Sequence, residues 1–297
     1  MNTNTILRQG TQKLADSLDM IRGLGLVTPL NSYSWEEINS IAASGEAPNY
    51  FSIGDCKAIT LNGSICGGLT LFNYEAYVYI IGFNHNGATN TIDFGTFKTA
   101  LFRGTDICLI YNYGFLNRND ATLFKMSHGS STNSGGWKGC NLRYSVLGST
   151  NTNNGNATTT TATNPVSGTL MAALPYELRA VMKPMAIYTD NTGGGTDTAS
   201  NVTSSVDYLP LLAEYEIFGS RTNANSEEQN YQEQYAYYST GNSKVKYRHS
   251  APDSTATWWE RSPYCNNNEF FCGVYANGST GYGTATVSLG LAPIFRV

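Results

Sequence analysis

The feature that most restricts the fold is a series of short segments rich in Tyr, Ile, Val and Phe, each cut off within a few residues by Gly or Asn. Between Leu69 and Tyr113 these include "AYVYIIGF" and "DICLIYNYGF". Branched and aromatic side chains suit a pleated, half-buried surface, and Gly and Asn accept the left-handed backbone of tight turns. The pattern predicts several short strands and excludes a helical bundle.

Helical signals are fewer. "SWEEINSIAASG" places Ser34 as N-cap, Glu37 three residues on as its capping-box partner and Gly45 as a stop. Its stripe of Trp35, Ile38 and Ile41 predicts one buried face. A strand, "YFSIGDCKAITLNG", follows and is expected to turn at Asn62-Gly63. "GGWKGCNLRYSVLG" carries Leu142, Val146 and Leu147 at helical spacing. A further helical stretch runs from about Gly168 to Val181, interrupted at Pro175, and leads into the strand "MKPMAIYTD". The polar run "STNTNNGNATTTTATNP" and residues 191–205 read as exposed loops. The chain closes as strand, loop, strand, a turn at Asn277-Gly278 and a final strand.

Ahead of all this, Leu7, Thr11, Leu14, Leu18 and Ile21 alternate spacings of four and three, a short coiled-coil seam over residues 5–23. Three turns are marginal alone, so the seam is expected to dock on another protein, on copies of itself or on its own domain. Residues 1–30 are thus an attachment or oligomerisation segment, and residues 31–297 the main domain. The combination is α+β.

Charge narrows the function. Only 13% of residues are charged and the net charge is -4, with no Lys/Arg cluster to neutralise a run of phosphates, so nucleic acid is not an expected partner. No segment reaches the ~20 apolar residues of a membrane span, and no secretory signal opens the chain; a cytosolic product is expected. The 20 tyrosines, set among uncharged polar loops, suit a contact surface built on flat aromatic area and adaptable hydrogen bonds. Cys56, Cys66, Cys108, Cys140, Cys265 and Cys272 form no CxxC pair. With only His85, His128 and His249, there is no zinc-ligand spacing, and no cofactor is expected. The cysteines read as small buried apolar residues, with one disulfide, Cys265 to Cys272, left open.

"GGWKGCNLRYSVLG", "LPYELRAVMKPMAIYT", "LPLLAEYEIFG", "WWERSP", "FFCGVYANGS" and "GLAPIFRV" follow one another in an order that resembles a C-type-lectin-like domain family of phage and bacterial-surface proteins. That family is related to the variable receptor-binding proteins diversified by retroelements and to formylglycine-generating enzymes. The resemblance spans roughly Trp35 to Val297 and implies a C-type-lectin-like fold with long loops. It implies that Trp258, Trp259, Arg261, Gly290, Pro293 and Phe295 are scaffold, and Arg261 beside two tryptophans suggests a buried, stacked guanidinium. Exposed positions between these anchors would carry recognition: Tyr264, Asn266, Asn267, Asn268, Glu269, Asn277 and Tyr282. The opening "SWEEINSIAASGEAPNYFSIGD" resembles structural proteins of temperate phages.

Catalysis has weaker grounds. Cys265 and Cys272 depart from the cysteine spacing of the formylglycine-generating relatives, and no neighbouring base lowers a thiol pKa. The "EPN" or "QPD" triplets of calcium-dependent lectins are absent. Glu214 with Glu216, and Glu36 with Glu37, read as solvated or capping residues, and His128 and His249 as surface groups. The expected protein is a non-enzymatic, virion-displayed adhesin, most simply a homotrimer. It would bind a host-surface glycan or protein through its C-terminal loops, and other virion proteins through its N-terminal helix. The alternative is a structural decoration of capsid, neck or tail.

Overall fold

The computed structural model describes residues 29–99, 105–110 and 124–297, so the helix expected over residues 5–23 lies outside the described residues. Ser34 opens helix α1 (Trp35–Ala43) with the expected capping box: its Oγ accepts the Glu37 amide at 3.2 Å, and the Glu37 carboxylate accepts the Ser34 amide at 2.8 Å. Two orphan amides of the first turn are thereby satisfied. The helix buries Trp35, Ile38 and Ala42, while Ile41 packs half-buried at the edge of the stripe. A short helix, α2 (Ala47–Tyr50), leads into the sheet.

Strands β1 (Cys56–Ile65), β2 (Leu69–Phe83) and β3 (Ile92–Lys98) form an antiparallel sheet that the last strand, β12 (Ile294–Arg296), completes in the order β1-β2-β3-β12. Residues 78–81 of β2 are all buried without alternation, as expected of a strand covered on both faces. The seam between β3 and β12 is packed with aromatic rings. Phe295 stacks on its register partner Phe94 at 5.1 Å and 9°, and Trp35 meets both rings edge-on at 5.5 and 6.0 Å. Beside them Arg296 grips its partner Asp93 through two bonds of 2.6 and 2.7 Å. One hydrophobic core runs from Leu30 to Val297 through this seam.

The expected turn at Asn62-Gly63 is instead a bulge inside β1. Asn62 Oδ1 accepts the Asn73 amide across the hairpin at 2.8 Å, and Gly63 passes close to Ala173, so the strand continues. The chain reverses at Cys66 and Gly67, both left-handed. "DICLIYNYGF" contributes only β4 (Ile107–Cys108) among the described residues, since residues 111–123 lie outside them. β4 runs parallel to β7 (Lys246–Arg248), which pairs with β8 (Ala251–Ala256).

"GGWKGCNLRYSVLG" folds as helix α3 (Gly136–Gly139) and a π-type turn over Leu142–Val146. The stretch broken at Pro175 becomes α4 (Leu170–Ala173) and α5 (Tyr176–Arg179). β5 (Met185–Asp190) then pairs with β6 (Val202–Asp207), which occupies residues expected to be loop. The reason is a buried carboxylate: Asp207 accepts from the Ser149 and Ser205 hydroxyls at 2.8 Å and from Arg143 at 2.7 Å. Ser205, which looks like a loop residue in sequence, is thus a strand residue serving an interior anion. Ser149 of the "exposed" polar run is buried for the same reason, while buried Thr150 and Thr161 bond within the run itself, Thr150 donating to the Thr152 carbonyl and Thr161 accepting the Thr158 amide. His249, expected at the surface, is also buried; its Nδ1 accepts the Ile110 amide at 3.0 Å, and burial brings its pKa down to about 4.

After α6 (Glu214–Phe218) and α7 (Ala236–Ser239), strands β9 (Trp258–Pro263), β10 (Phe270–Val274) and β11 (Thr280–Thr284) form a second antiparallel sheet, in the order β11-β10-β9. The Asn277-Gly278 turn joins β10 to β11 as expected, with Gly278 left-handed.

Replacing Trp35 with Ala removes the ring that ties α1 to the β3–β12 seam. The change is expected to destabilise the protein by about 3–5 kcal/mol, read as a fall in the urea midpoint at unchanged slope.

Candidate functional site

β9 enters the second sheet under tight constraint. Arg261 is fully buried, and its guanidinium grips the Glu216 carboxylate through two bonds, both at 2.6 Å. Its remaining donors reach Thr189 Oγ1 at 2.7 Å and the Leu211 carbonyl at 2.8 Å. Burial alone would lower the Arg261 pKa, but Glu216, joined by Glu228 and Tyr235, outweighs it and the guanidinium is held above its ordinary value. So Arg261 is buried as expected, but a carboxylate holds it rather than an indole face. Glu216 and Glu214, expected to be solvated or capping, are both buried; Glu216 does cap α6 by accepting the Ala213 amide at 3.0 Å. Trp258, Trp259, Gly290, Pro293 and Phe295 are buried too.

Beyond Pro263 the backbone leaves the sheet as a loop whose carbonyls are nearly all engaged. The organiser is Asn133, fully buried. Its Nδ2 donates to the carbonyls of Tyr264, Asn267 and Phe270 at 3.2, 2.9 and 2.9 Å, and its Oδ1 accepts the Gly194 amide at 2.8 Å. Its backbone amide donates to the Asn268 carbonyl at 2.7 Å, and that of Ala285 donates to the Glu269 carbonyl at 2.8 Å. The Gly193 to Gly195 segment, left-handed at all three residues, lies directly against this loop. A Cβ on Gly195 would fall 2.6 Å from the Asn268 nitrogen, which only glycine permits.

On this rigid frame the fold gathers aromatic rings at the surface. Tyr264 and Tyr282 stack at 4.8 Å and 12°, with Tyr282 40% exposed. Phe270 packs against both, at 6.1 Å from Tyr264 and 5.2 Å from Tyr282, and Tyr275 closes the group at 6.3 Å from Tyr282. Tyr282 therefore touches three rings and is the hub. Asn266, Asn268 and Glu269 are exposed beside them. These three side chains make no hydrogen bond among the described residues.

The seven residues singled out from the sequence thus separate by role. Tyr264 and Tyr282 meet, and Asn266, Asn268 and Glu269 border the loop under them. Asn267 is half-buried, with its Oδ1 accepting the Glu269 amide at 2.8 Å, and Asn277 sits at the hairpin tip, accepting from the Ser279 amide and hydroxyl at 3.1 and 2.7 Å. Both do the work of a turn. Sequence reading passed over Tyr275 and Phe270, although the hairpin register that pairs Cys272 with Tyr282 places them near it. Nothing local marks Asn133, which lies more than a hundred residues away.

Chemically the surface offers flat apolar area, amide and carboxylate hydrogen bonding and little charge. Among the described residues no group of three or more His, Cys, Asp or Glu side chains is placed to hold a metal ion. All six cysteines are free thiols; burial raises the pKa of Cys265 and, more strongly, of Cys272. A family model described as a domain of unknown function, DUF6273, matches residues 108–297. No curated protein matches the chain, and no solved structure does.

Asn133→Ala is expected to cost about 1–3 kcal/mol by removing the buried amide that gathers the Tyr264, Asn267 and Phe270 carbonyls. Asn133→Asp is expected to cost more, because a carboxylate of the same shape would face those carbonyl oxygens with no proton to give. Hydrogen exchange over residues 264–270 should rise in both, and equal stability of the two variants would refute the tether.

Proposed function

We propose that this chain, which belongs to the DUF6273 family, is a non-enzymatic binding protein displayed on a virus particle, recognising a host-surface ligand through the Tyr264, Phe270, Tyr275 and Tyr282 cluster. The observation that carries the reading is the stacking of half-buried Tyr264, on a loop whose backbone is tethered from inside, against exposed Tyr282 of β11. Solvent-exposed rings that share a rigid base present contact area at little entropy cost on binding, and the neighbouring amides supply adaptable hydrogen bonds. Contact residues free of structural bonds, such as Asn266, Asn268 and Glu269, can serve a ligand without disturbing the fold.

The same reading includes a C-type-lectin-like arrangement for residues 31–297. Its support is the return of the final strand to pair with β3 near the start of the domain, together with the long braced loops. It also includes assembly through residues 1–30, most simply as a trimer. Several weak sites fixed on one particle then act together and raise avidity without new contacts. Support for a non-catalytic role comes from the acids: Glu214, Glu216, Glu228 and Glu260 gather in the interior, whereas the exposed surface is aromatic and amide. No helix among the described residues is long and apolar enough to cross a membrane.

Tyr282→Ala removes the hub ring. In the free protein its effect on the unfolding midpoint is expected to be small, since the ring is largely at the surface, while attachment of particles to host cells should fall by about ten- to a hundredfold. Undiminished attachment in a Tyr264→Ala/Tyr282→Ala double variant would sink the adhesin reading. Particles that fail to assemble would favour a structural decoration instead.

A further inference from the structure

The sheet that carries the aromatic cluster rests on an excess of buried negative charge. Glu214 and Glu216 from α6, Glu228 from the turn at Ser226–Asn230 and Glu260 from β9 are each at most 1% exposed. They act on one another around Arg261, and Glu216 also feels Arg296 of β12. Cys272 of β10 and Tyr238 of α7 are the other titratable groups close enough to feel Glu260.

The four carboxyls are not equally provided for. Glu216 holds Arg261 and the Ala213 amide. Glu214 Oε2 accepts three backbone amides, of Thr222, Asn223 and Ala224, at 2.8–2.9 Å. Glu228 accepts the Asp190 amide at 2.9 Å, the Ser262 hydroxyl at 2.6 Å and the Gln232 amide at 3.0 Å. Among the described residues Glu260 accepts nothing at either oxygen, and Glu214 Oε1 is likewise without a donor. An ionised carboxylate buried among like charges with no donor costs several kcal/mol, and a group so placed neutralises instead.

Its position couples it to the surface above. The β9–β10 register slips between Phe271 and Gly273, so that Glu260, Arg261 and Ser262 bulge opposite Cys272 alone. Cys272 is the register partner of Tyr282, and Ser262 stands two residues before Tyr264.

We propose that Glu260 carries a proton in the folded protein and that this proton is a lock on the aromatic surface, released when alkaline medium ionises the cluster and loosens β9 to β11. The lock goes beyond the binding reading and stands without it, since no ligand enters its test. Burial raises the Glu260 pKa well above the ordinary carboxylate range, with Glu214 and Glu228 adding to it, and burial pushes Glu228 up to about 7. The sign follows: acids whose pKa is raised by folding contribute stability that is complete below the unfolded carboxylate pKa and is lost as pH rises through the folded values. For Glu228 the window closes near 7; for Glu260 it extends higher.

Two measurements on the full chain test this. The infrared spectrum at neutral pH should contain a protonated-carboxyl carbonyl band that weakens in Glu260→Gln, where only the partly protonated Glu228 remains to contribute; a wild-type spectrum without that band, or a folded variant with the band undiminished, overturns the proposal. Between about pH 6 and about pH 9, the wild-type urea midpoint should fall, and exchange-rate-corrected amide protection over residues 258–284 should drop more than over β1 and β2. Glu260→Gln, neutral and nearly isosteric, should flatten both trends. Equal pH dependence in variant and wild type overturns the proposal. So does abolition of the band by added calcium, magnesium or zinc with a raised midpoint, because a cation rather than a proton would then neutralise the cluster.

Discussion

The Arg261 to Glu216 pair is the constraint on which the C-terminal half depends. A guanidinium with no solvent exposure is tolerable only where its donors are met, and here α6 supplies the carboxylate, β5 a threonine hydroxyl and the segment before α6 a carbonyl. Three segments far apart from β9 in the chain are brought to one point. Removing one partner would leave a bare charge inside, which costs about 3–5 kcal/mol, far more than the net worth of the pair itself. The pair therefore acts less as a source of stability than as a requirement on geometry, fixing where β9 runs and hence where the loop after Pro263 begins. The pairs Arg143 with Asp207 and Arg296 with Asp93 impose similar requirements on β6 and β12.

From this base the surface follows by division of labour along a single loop. Its carbonyls belong to the fold, because the side chain and backbone of Asn133 and the amide of Ala285 engage them, while the Gly193 to Gly195 segment packs against the backbone. Several of its side chains, with those of the neighbouring hairpin, belong to the solvent. A loop held this way keeps its backbone when its exposed side chains change, which is a useful property for a contact surface. The economy of the arrangement lies in Asn133, where one amide nitrogen gathers three carbonyls, of Tyr264, Asn267 and Phe270, at a single point.

Local elements were the legible part. The capping box at Ser34 and Glu37, the break at Pro175 and the Asn277-Gly278 turn each rest on contacts within a few residues, and each formed as expected, whereas the single final strand expected after that turn divides into β11 and β12, because the last residues leave the hairpin to pair with β3. Asn62-Gly63 shows where local reading fails: the same dipeptide makes a turn at one place and a bulge at another, depending on what packs beside it. β6 failed for a different reason. Its Ser205 serves the buried Asp207, and no window of sequence contains both the strand and all the partners of that carboxylate. Glu214, Glu216 and His249 look like surface residues because their interior partners are likewise remote.

The sequence by itself determined that the chain is α+β, though β2, expected as short strands, runs for 15 residues, and that Tyr264 and Tyr282 are unusual residues for a turn-rich segment. Tertiary structure alone decided that these two rings stack, that Tyr275 and Phe270 join them, and that Asn133 holds the loop beneath. It also decided that Glu260 is left without a donor. The physical reason is range: turn and capping preferences act over three or four residues, whereas burial and hydrogen-bond satisfaction depend on which distant segments meet, and only the folded chain sets that.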